Sequence, residues 1–254
     1  MTRGIRATLA VATLSATLAV AGRSLQADVP AGAGSLQSLK PPANGIINVA
    51  VLVSDDTTLI DFAGPWEVFG DTMLTRDGRP WRGGDDMVMP FHLYTVSDSR
   101  KPISAGGLEI TPTYTFADAP RPQVIVIPAQ AGRSEAQKKW LLANARTADI
   151  TASVCTGASM LAAYGFLDHQ SATTHHLFVG ALQARYPAVQ FISGLRYIDH
   201  GRIATAGGLS SGIDLALHVV ERYYGPEVAQ ATADYLEYKS ELWKSSGRAE
   251  PSTH

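Results

Sequence analysis

The sequence predicts an α/β protein built on a doubly wound, mostly parallel sheet with helices on both faces. The first observation is a set of nearly continuous apolar runs rich in β-branched residues, such as 46–53 and 124–128. Such runs are typical of strands buried on both faces. The second is that these runs alternate with segments of helical character, as a parallel sheet requires. The third is an abrupt change at Cys155, where an apolar run gives way to small residues that favour a helix.

Each predicted element follows from its local sequence. Apolar runs predict strands at 46–53, 91–97, 124–128, 149–154, 172–175, 195–199 and 203–206. Helices are predicted to begin at Pro65 after a loop at 54–64, near Ser134 at a capping box, after Cys155, at Leu177 and at Ser211. Glycine pairs and Gly-Pro predict hairpin turns at 106–107 and 199–201, and a break at 225–226 in the last helical region.

The ends of the chain differ from its middle. Residues 1–27 combine Arg3 and Arg6, an apolar stretch too short for a membrane span, and small residues up to Ala27, the pattern of a secretory signal peptide. An uncleaved anchor or a disordered tail is the alternative. Residues 28–44 predict a flexible linker, 45–242 a single domain, and 243–254 a polar tail. We therefore expect a periplasmic or secreted protein whose mature form is free of the membrane.

Charge and composition exclude several function classes. The net charge of −2 becomes −5 if residues 1–27 are removed, because three arginines and no acidic residue are lost. A mildly acidic chain without a basic block is a poor candidate for binding nucleic acid or anionic lipid. The sequence contains no HExxH motif, no Cys/His cluster and no glycine-rich phosphate loop after a strand, so we expect neither a metal nor a cofactor.

Cys155 is the principal candidate for catalysis. The turn around Cys155 and Gly157 leads from a strand into a helix, which is the geometry of a nucleophile elbow. The helix start should lower the pKa of the thiol. A small buried packing residue is the alternative interpretation. If Asp61 lies beside the sulfur, it should be a protonated carboxylic acid, because two adjacent negative charges disfavour each other.

Three further side chains are candidates for the same site. Asp61, after the first strand, is either a proton donor and acceptor for the thiol or a cap ahead of Pro65. Glu67 is more often a residue of a helix start than a catalyst. His175 could pair with the cysteine or simply end a strand, and strand alternation would send His175 and His176 to opposite faces.

Five segments together resemble the ThiJ/PfpI superfamily, whose members share a flavodoxin-like domain. The segments are 61–69, 124–128, 153–157, 172–175 and 212–217, with the sequences DFAGPWEVF, VIVIP, SVCTG, ATTH and GIDLAL. The resemblance implies that Cys155 is the nucleophile, that Thr156 supplies a hydroxyl and an N–H beside it, that Asp61 faces the sulfur, and that His175 lies near it. It also implies a homodimer with the site near the interface.

The chain departs from this pattern at two places. Ala129 and Gln130 replace a Gly-Gly turn that helps to form an oxyanion hole in relatives, and His176 stands where near relatives often have tryptophan. Thr156 also replaces the histidine that follows the cysteine in amidotransferases, which argues against protease or glutaminase activity.

The chain is similar to the isonitrile hydratase branch and to the sensor domains of AraC-type regulators. The resemblance implies a cofactor-free hydratase that converts an isonitrile, a small-molecule substrate, into an N-substituted formamide through a thioimidate. A ligand-binding or redox-sensing module without turnover is one alternative. Glyoxalase or deglycase action on reactive carbonyls is another.

Overall fold

A seven-stranded sheet forms the centre of the structure, a computed structural model that describes residues 36–244. The strands are β1 (Ile47–Leu52), β2 (Leu74–Thr75), β3 (Met87–Val88), β4 (Phe91–Ser97), β5 (Ile103–Ala105), β6 (Leu108–Ile110), β7 (Tyr114–Thr115), β8 (Val124–Ile127), β9 (Ile150–Ser153), β10 (Ser171–Ala172), β11 (Gln190–Phe191), β12 (Tyr197–Asp199) and β13 (Ile203–Ala206). The helices are α1 (Leu59–Gly70), α2 (Glu135–Asn144), α3 (Ala158–Ala163), α4 (Val179–Arg185), α5 (Ser211–Tyr224) and α6 (Pro226–Tyr235).

The central sheet is mostly parallel. Its strand order is β12-β13-β9-β8-β1-β4-β7, and β12–β13 is the antiparallel pair. The predicted fold class is confirmed. In such a sheet, sites form where the carboxyl ends of neighbouring strands meet. Because β1, β8, β9 and β13 run parallel, their carboxyl ends lie at the same edge of the sheet.

Strand alternation divides the core into two layers. Val49 and Val51 of β1 pack in the layer that contains α1, α5 and α6. Ala50 and Leu52 pack in the opposite layer, with α2, α3 and α4. Because successive side chains of a strand point to opposite faces, a strand covered on both sides is expected to be mostly apolar. Burying each large aliphatic side chain contributes about 1.5–3 kcal/mol.

Helix α1 begins before its predicted start at Pro65. Asp61 and Glu67 therefore occupy different positions along the helix from those predicted. It begins at Leu59, so Pro65 lies inside the helix and does not open it. An interior proline costs roughly 3 kcal/mol because it lacks an N–H and crowds the preceding turn. Here Pro65 is buried, and a Cβ on Gly212 of α5 would lie 3.2 Å from its ring. Close packing of the two helices offsets the local cost.

The strand predicted at 172–175 is mostly not a strand. β10 covers only Ser171–Ala172 and pairs with β11 in a separate two-stranded sheet. His175 caps a 3₁₀ turn at His176–Phe178 instead. The two histidine rings stack, with centroids 4.5 Å apart, so the expectation that they face opposite sides is wrong.

The domain reaches further at both ends than 45–242. Leu39 donates its N–H to the Arg222 carbonyl and packs against the core, so part of the predicted linker is ordered against α5. Trp243 is 1% exposed, and its carbonyl accepts a hydrogen bond from the Tyr197 hydroxyl. The predicted signal peptide at 1–27 and most of the predicted tail lie outside the described residues.

Within 36–244, none of the helices has the length and apolarity that crossing a membrane requires.

Candidate active site

Cys155 occupies a strained elbow at the end of β9. Its φ is +57°, in the left-handed region that costs a non-glycine residue about 1–3 kcal/mol. A single 3₁₀ turn at Cys155–Gly157 follows and leads into α3. A Cβ on Gly157 would lie 2.1 Å from the Ile127 carbonyl oxygen, so only glycine fits against β8. The predicted strand-to-helix elbow is confirmed.

The strained backbone is held from two neighbouring segments. The Cys155 N–H donates to the Gly207 carbonyl at 2.7 Å, just beyond β13. The Cys155 carbonyl accepts a hydrogen bond from the buried Thr174 hydroxyl at 2.8 Å, just beyond β10. Both backbone groups of the residue are therefore fixed, and this keeps the side chain in one position.

Asp61 comes from the first turn of α1 and is fully buried. Its Oδ2 accepts the Ala129 N–H at 3.0 Å. Its Oδ1 has no hydrogen bond of ordinary geometry among the described residues, although the Cys155 thiol is close enough to act on the carboxyl. Asp61 is therefore a partner of the thiol and not a cap, since Thr58 occupies the N-cap position.

Burial sets the protonation of the carboxyl. It raises the pKa of Asp61 to about 6, against the opposing effects of the Ala129 N–H and the Cys155 thiol. The direction agrees with the expected carboxylic acid. At neutral pH, however, Asp61 is mostly ionised.

The pKa of the Cys155 thiol differs from the prediction. Burial, followed by the negative charge of Asp61, raises the pKa of Cys155 to about 11. The N–H groups of Thr156 and Leu209 and the Thr156 hydroxyl oppose this rise but do not overcome it. The expected lowering by the helix start is wrong, because Cys155 is 6% exposed and a short 3₁₀ turn separates it from a six-residue helix. At neutral pH the pair thus holds one proton, mainly on sulfur.

Hydrogen bonds hold the backbone of Thr156 next to the nucleophile. Its carbonyl accepts a hydrogen bond from the Ser159 hydroxyl at 2.6 Å, and the Arg133 guanidinium donates to that hydroxyl at 2.5 Å. Thr156 therefore presents a fixed N–H and hydroxyl to the sulfur.

The turn after β8 holds Asp61 and the end of β1. The Ala129 N–H is taken by Asp61, and the Gln130 amide donates to the Leu52 carbonyl at 3.1 Å. Gln137 donates to the Gln130 side-chain oxygen at 3.3 Å. Gln130 thus ties the ends of β1 and β8 to α2.

Two other candidates do not join the pair. Glu67 is exposed in the last turn of α1, so its predicted position at a helix start is wrong. The His175 ring packs against Gly208, where a Cβ would lie 2.3 Å away, and its Nδ1 accepts the Leu177 N–H. Neither is among the groups that shift the pKa of Cys155.

Sequence reasoning missed three contributors. Leu209 and Gly207 act through backbone groups, which no residue pattern displays. Thr174 acts through its hydroxyl, and the signal available was only its place beside His175. Among the described residues, no group of three or more His, Cys, Asp or Glu side chains could hold a metal.

Comparisons with known proteins agree with the fold. Residues 47–222 match the DJ-1/PfpI family. The chain is 28% identical to the isonitrile hydratase of Pseudomonas putida over 204 residues, covering 76% of this chain and 78% of the hydratase. It is 30% identical to the HTH-type transcriptional regulator GbdR of Pseudomonas aeruginosa over 207 residues, covering 78% of this chain but only 53% of the regulator. The crystal structure of a ThiJ/PfpI family protein from Pseudomonas syringae has a TM-score of 0.64 at 25% identity, covering 77% of this chain and 76% of that chain.

Proposed function

Because this chain belongs to the DJ-1/PfpI family, we propose that it is a cofactor-free, cysteine-dependent hydratase that converts an isonitrile and water into an N-substituted formamide. The observation that carries the proposal is the buried pair of Cys155 and Asp61, in which the thiol lies close enough to act on the carboxyl. The similarity to isonitrile hydratase supports this choice of reaction.

In the first step the proton leaves sulfur as the sulfur attacks. Asp61, ionised at neutral pH, takes the thiol proton while Sγ bonds to the terminal carbon of the isonitrile. Asp61 then delivers that proton to the same carbon, which gives a thioimidate in which carbon carries one hydrogen and is doubly bonded to nitrogen. A carboxyl with a pKa of about 6 can both accept and return a proton near neutral pH. Covalent catalysis divides a difficult addition into two easier steps.

In the second step water replaces sulfur. Asp61 removes a proton from the attacking water as its oxygen bonds to the thioimidate carbon. Asp61 passes that proton to nitrogen, and the carbon–sulfur bond breaks as the second proton of the water moves to the departing sulfur. This leaves a carbonyl on carbon and restores the Cys155 thiol. The sum is one isonitrile and one water consumed for one formamide, and the enzyme returns to its starting state.

The burial of the pair suits a small uncharged substrate over a charged one. Cys155 is 6% exposed and Asp61 is fully buried, so a charged substrate would lose its hydration without a partner.

The test is turnover of simple alkyl isonitriles by the purified protein, with the formamide measured by mass spectrometry. Cys155→Ala and Asp61→Asn should yield no formamide above buffer. Glu67→Gln is the matched control, because it makes the same acid-to-amide change at an exposed position of α1, and it should keep wild-type activity. Lack of turnover by wild-type protein with Cys155 shown to be reduced would rule out the hydratase.

A ligand-binding module without turnover is the second candidate, supported by the similarity to a transcriptional regulator. The redox-sensing form of this candidate is disfavoured, because sensor cysteines are exposed and of low pKa, whereas Cys155 is buried. Mass spectrometry of protein taken directly from cells separates the cases: reversible, stoichiometric oxidation favours a sensor, and a reduced thiol favours the enzyme. A methylglyoxal assay tests the glyoxalase alternative.

Export and assembly complete the proposal. The basic and apolar pattern at 1–27 supports transport to the periplasm or beyond. Cell fractionation followed by N-terminal sequencing tests both location and cleavage. Light scattering of the purified protein tests the proposed homodimer.

A further inference from the structure

Asp214 is a buried charge that the proposed chemistry does not use. It lies on α5 within the GIDLAL segment and is fully buried. Its Oδ2 accepts a hydrogen bond from Arg196 Nε at 2.6 Å, and its Oδ1 accepts one from the Ser240 hydroxyl at 3.1 Å. A buried carboxylate must be paired to be tolerated, so the Asp214–Arg196 pair fixes the guanidinium.

The fixed guanidinium holds one loop between β13 and α5. Arg196 Nη2 donates to the Ser210 hydroxyl at 3.2 Å, and the Arg196 carbonyl accepts the Gly207 N–H at 2.9 Å. One residue thus holds this loop, 207–210, at both ends. Ser210 stands at the N-cap position of α5, but its side chain makes no capping hydrogen bond.

The loop carries a donor for the nucleophile. Leu209 lies inside it with a φ of +50°, in the left-handed region, and its N–H is close enough to the Cys155 sulfur to act on the pKa of the thiol. Gly207 in the same loop accepts the Cys155 N–H. A leucine relaxes from a left-handed conformation unless its surroundings hold it.

We propose that Arg196, held by Asp214, is a positioning residue that aims the Leu209 N–H at the Cys155 sulfur. The charge of Arg196 is not among the influences on the thiol, whereas the Leu209 N–H is one. Arg196 therefore acts through the loop. The role serves the nucleophile of the function proposed above, but thiolate formation measures it without any turnover.

The experiment is an ultraviolet titration of the Cys155 thiolate, which does not depend on reagent access. Asp61→Asn serves as the background, because removing the neighbouring charge lowers the titration midpoint into a range where the fold survives. In this background Arg196→Met should raise the midpoint by about one pH unit, since a hydrogen bond to a charged group is worth a factor of about ten or more. Ser210→Ala should raise it by less. Ser240→Ala, which removes the other bond to Asp214, is the matched control and should leave it unchanged.

Equal midpoints in all these variants would overturn the proposal, as would equal shifts in Arg196→Met and Ser240→Ala. If Arg196→Met does not fold, the comparison of Ser210→Ala with Ser240→Ala decides the question, because both remove only a hydroxyl. If wild-type protein hydrates isonitriles, Arg196→Met should lower kcat more than it raises KM. Failure of isonitrile turnover leaves the titration result standing, so the two proposals fail separately.

Discussion

Replacing Asp61 by asparagine should make the Cys155 thiol more acidic. The charge of Asp61 is the second largest cause, after burial, that raises the pKa of Cys155 to about 11. At that pKa, about one wild-type thiol in a thousand is ionised at pH 8 while Asp61 stays charged. Two unit charges about 4 Å apart near a protein surface repel by about 4 kcal/mol, or roughly three pH units. Even a third of that effect would increase the thiolate about tenfold in Asp61→Asn at pH 8.

The size of the difference between the two proteins depends on pH. Below about pH 6 Asp61 is protonated in the wild type, so the two proteins should react with iodoacetamide at similar rates. Above it, wild-type Asp61 is charged and keeps the thiolate fraction low, so the alkylation rate of Asp61→Asn should exceed that of the wild type at each pH.

The assay is the alkylation rate of Cys155 from pH 5 to pH 10, with each protein shown to be folded by circular dichroism. Glu67→Gln should follow the wild-type curve, because it lies exposed at the other end of α1. An Asp61→Asn protein that alkylates more slowly than wild type at pH 8 would mean that Asp61 promotes the thiolate, contrary to the charge argument.

Three other predictions test the elbow and its partners. Gly157→Ala places a Cβ 2.1 Å from a backbone oxygen and should lower the free energy of unfolding in urea by about 1–3 kcal/mol or more, whereas Gly180→Ala, with nothing within 4 Å, should not destabilise the protein. Thr174→Val removes the hydroxyl that binds the Cys155 carbonyl and should cost about 1–3 kcal/mol by the same measurement, because it leaves a buried acceptor unpaired. Because the pKa of Asp61 rises from 3.8 to about 6 on folding, the folded state binds more protons between those values and wild-type stability should fall by up to about 3 kcal/mol as the pH rises through them. Asp61→Asn should lack this fall, and equal pH profiles of stability for the two proteins would contradict the burial argument.

The sequence was most informative where burial on both faces dictates composition. The strands β1 and β8 are buried on both faces and are apolar except at Asn48, so their sequences predict them directly. The sequence also predicted the turn at Cys155, because only glycine fits at 157 and small residues follow it.

The errors arise where distant contacts override local preference. Pro65 resembles the first residue of a helix until its packing against Gly212 is known. The segment at 172–175 has strand-like residues, but β10 ends at Ala172, and Thr174 and His175 are used to brace the elbow loops. The pKa of the thiol depends on burial, which cannot be predicted from the residues that surround Cys155 in the sequence.

The anchoring of Cys155 has a practical consequence for studying the folding of this protein. Cys155 is 6% exposed, and its backbone is hydrogen-bonded to segments that follow β13 and β10. A bulky thiol reagent can therefore reach it only when one of these segments opens. As the single cysteine of the chain, it is a native, site-specific probe of local unfolding. The dependence of its labelling rate on urea separates opening of this edge of the sheet from global unfolding.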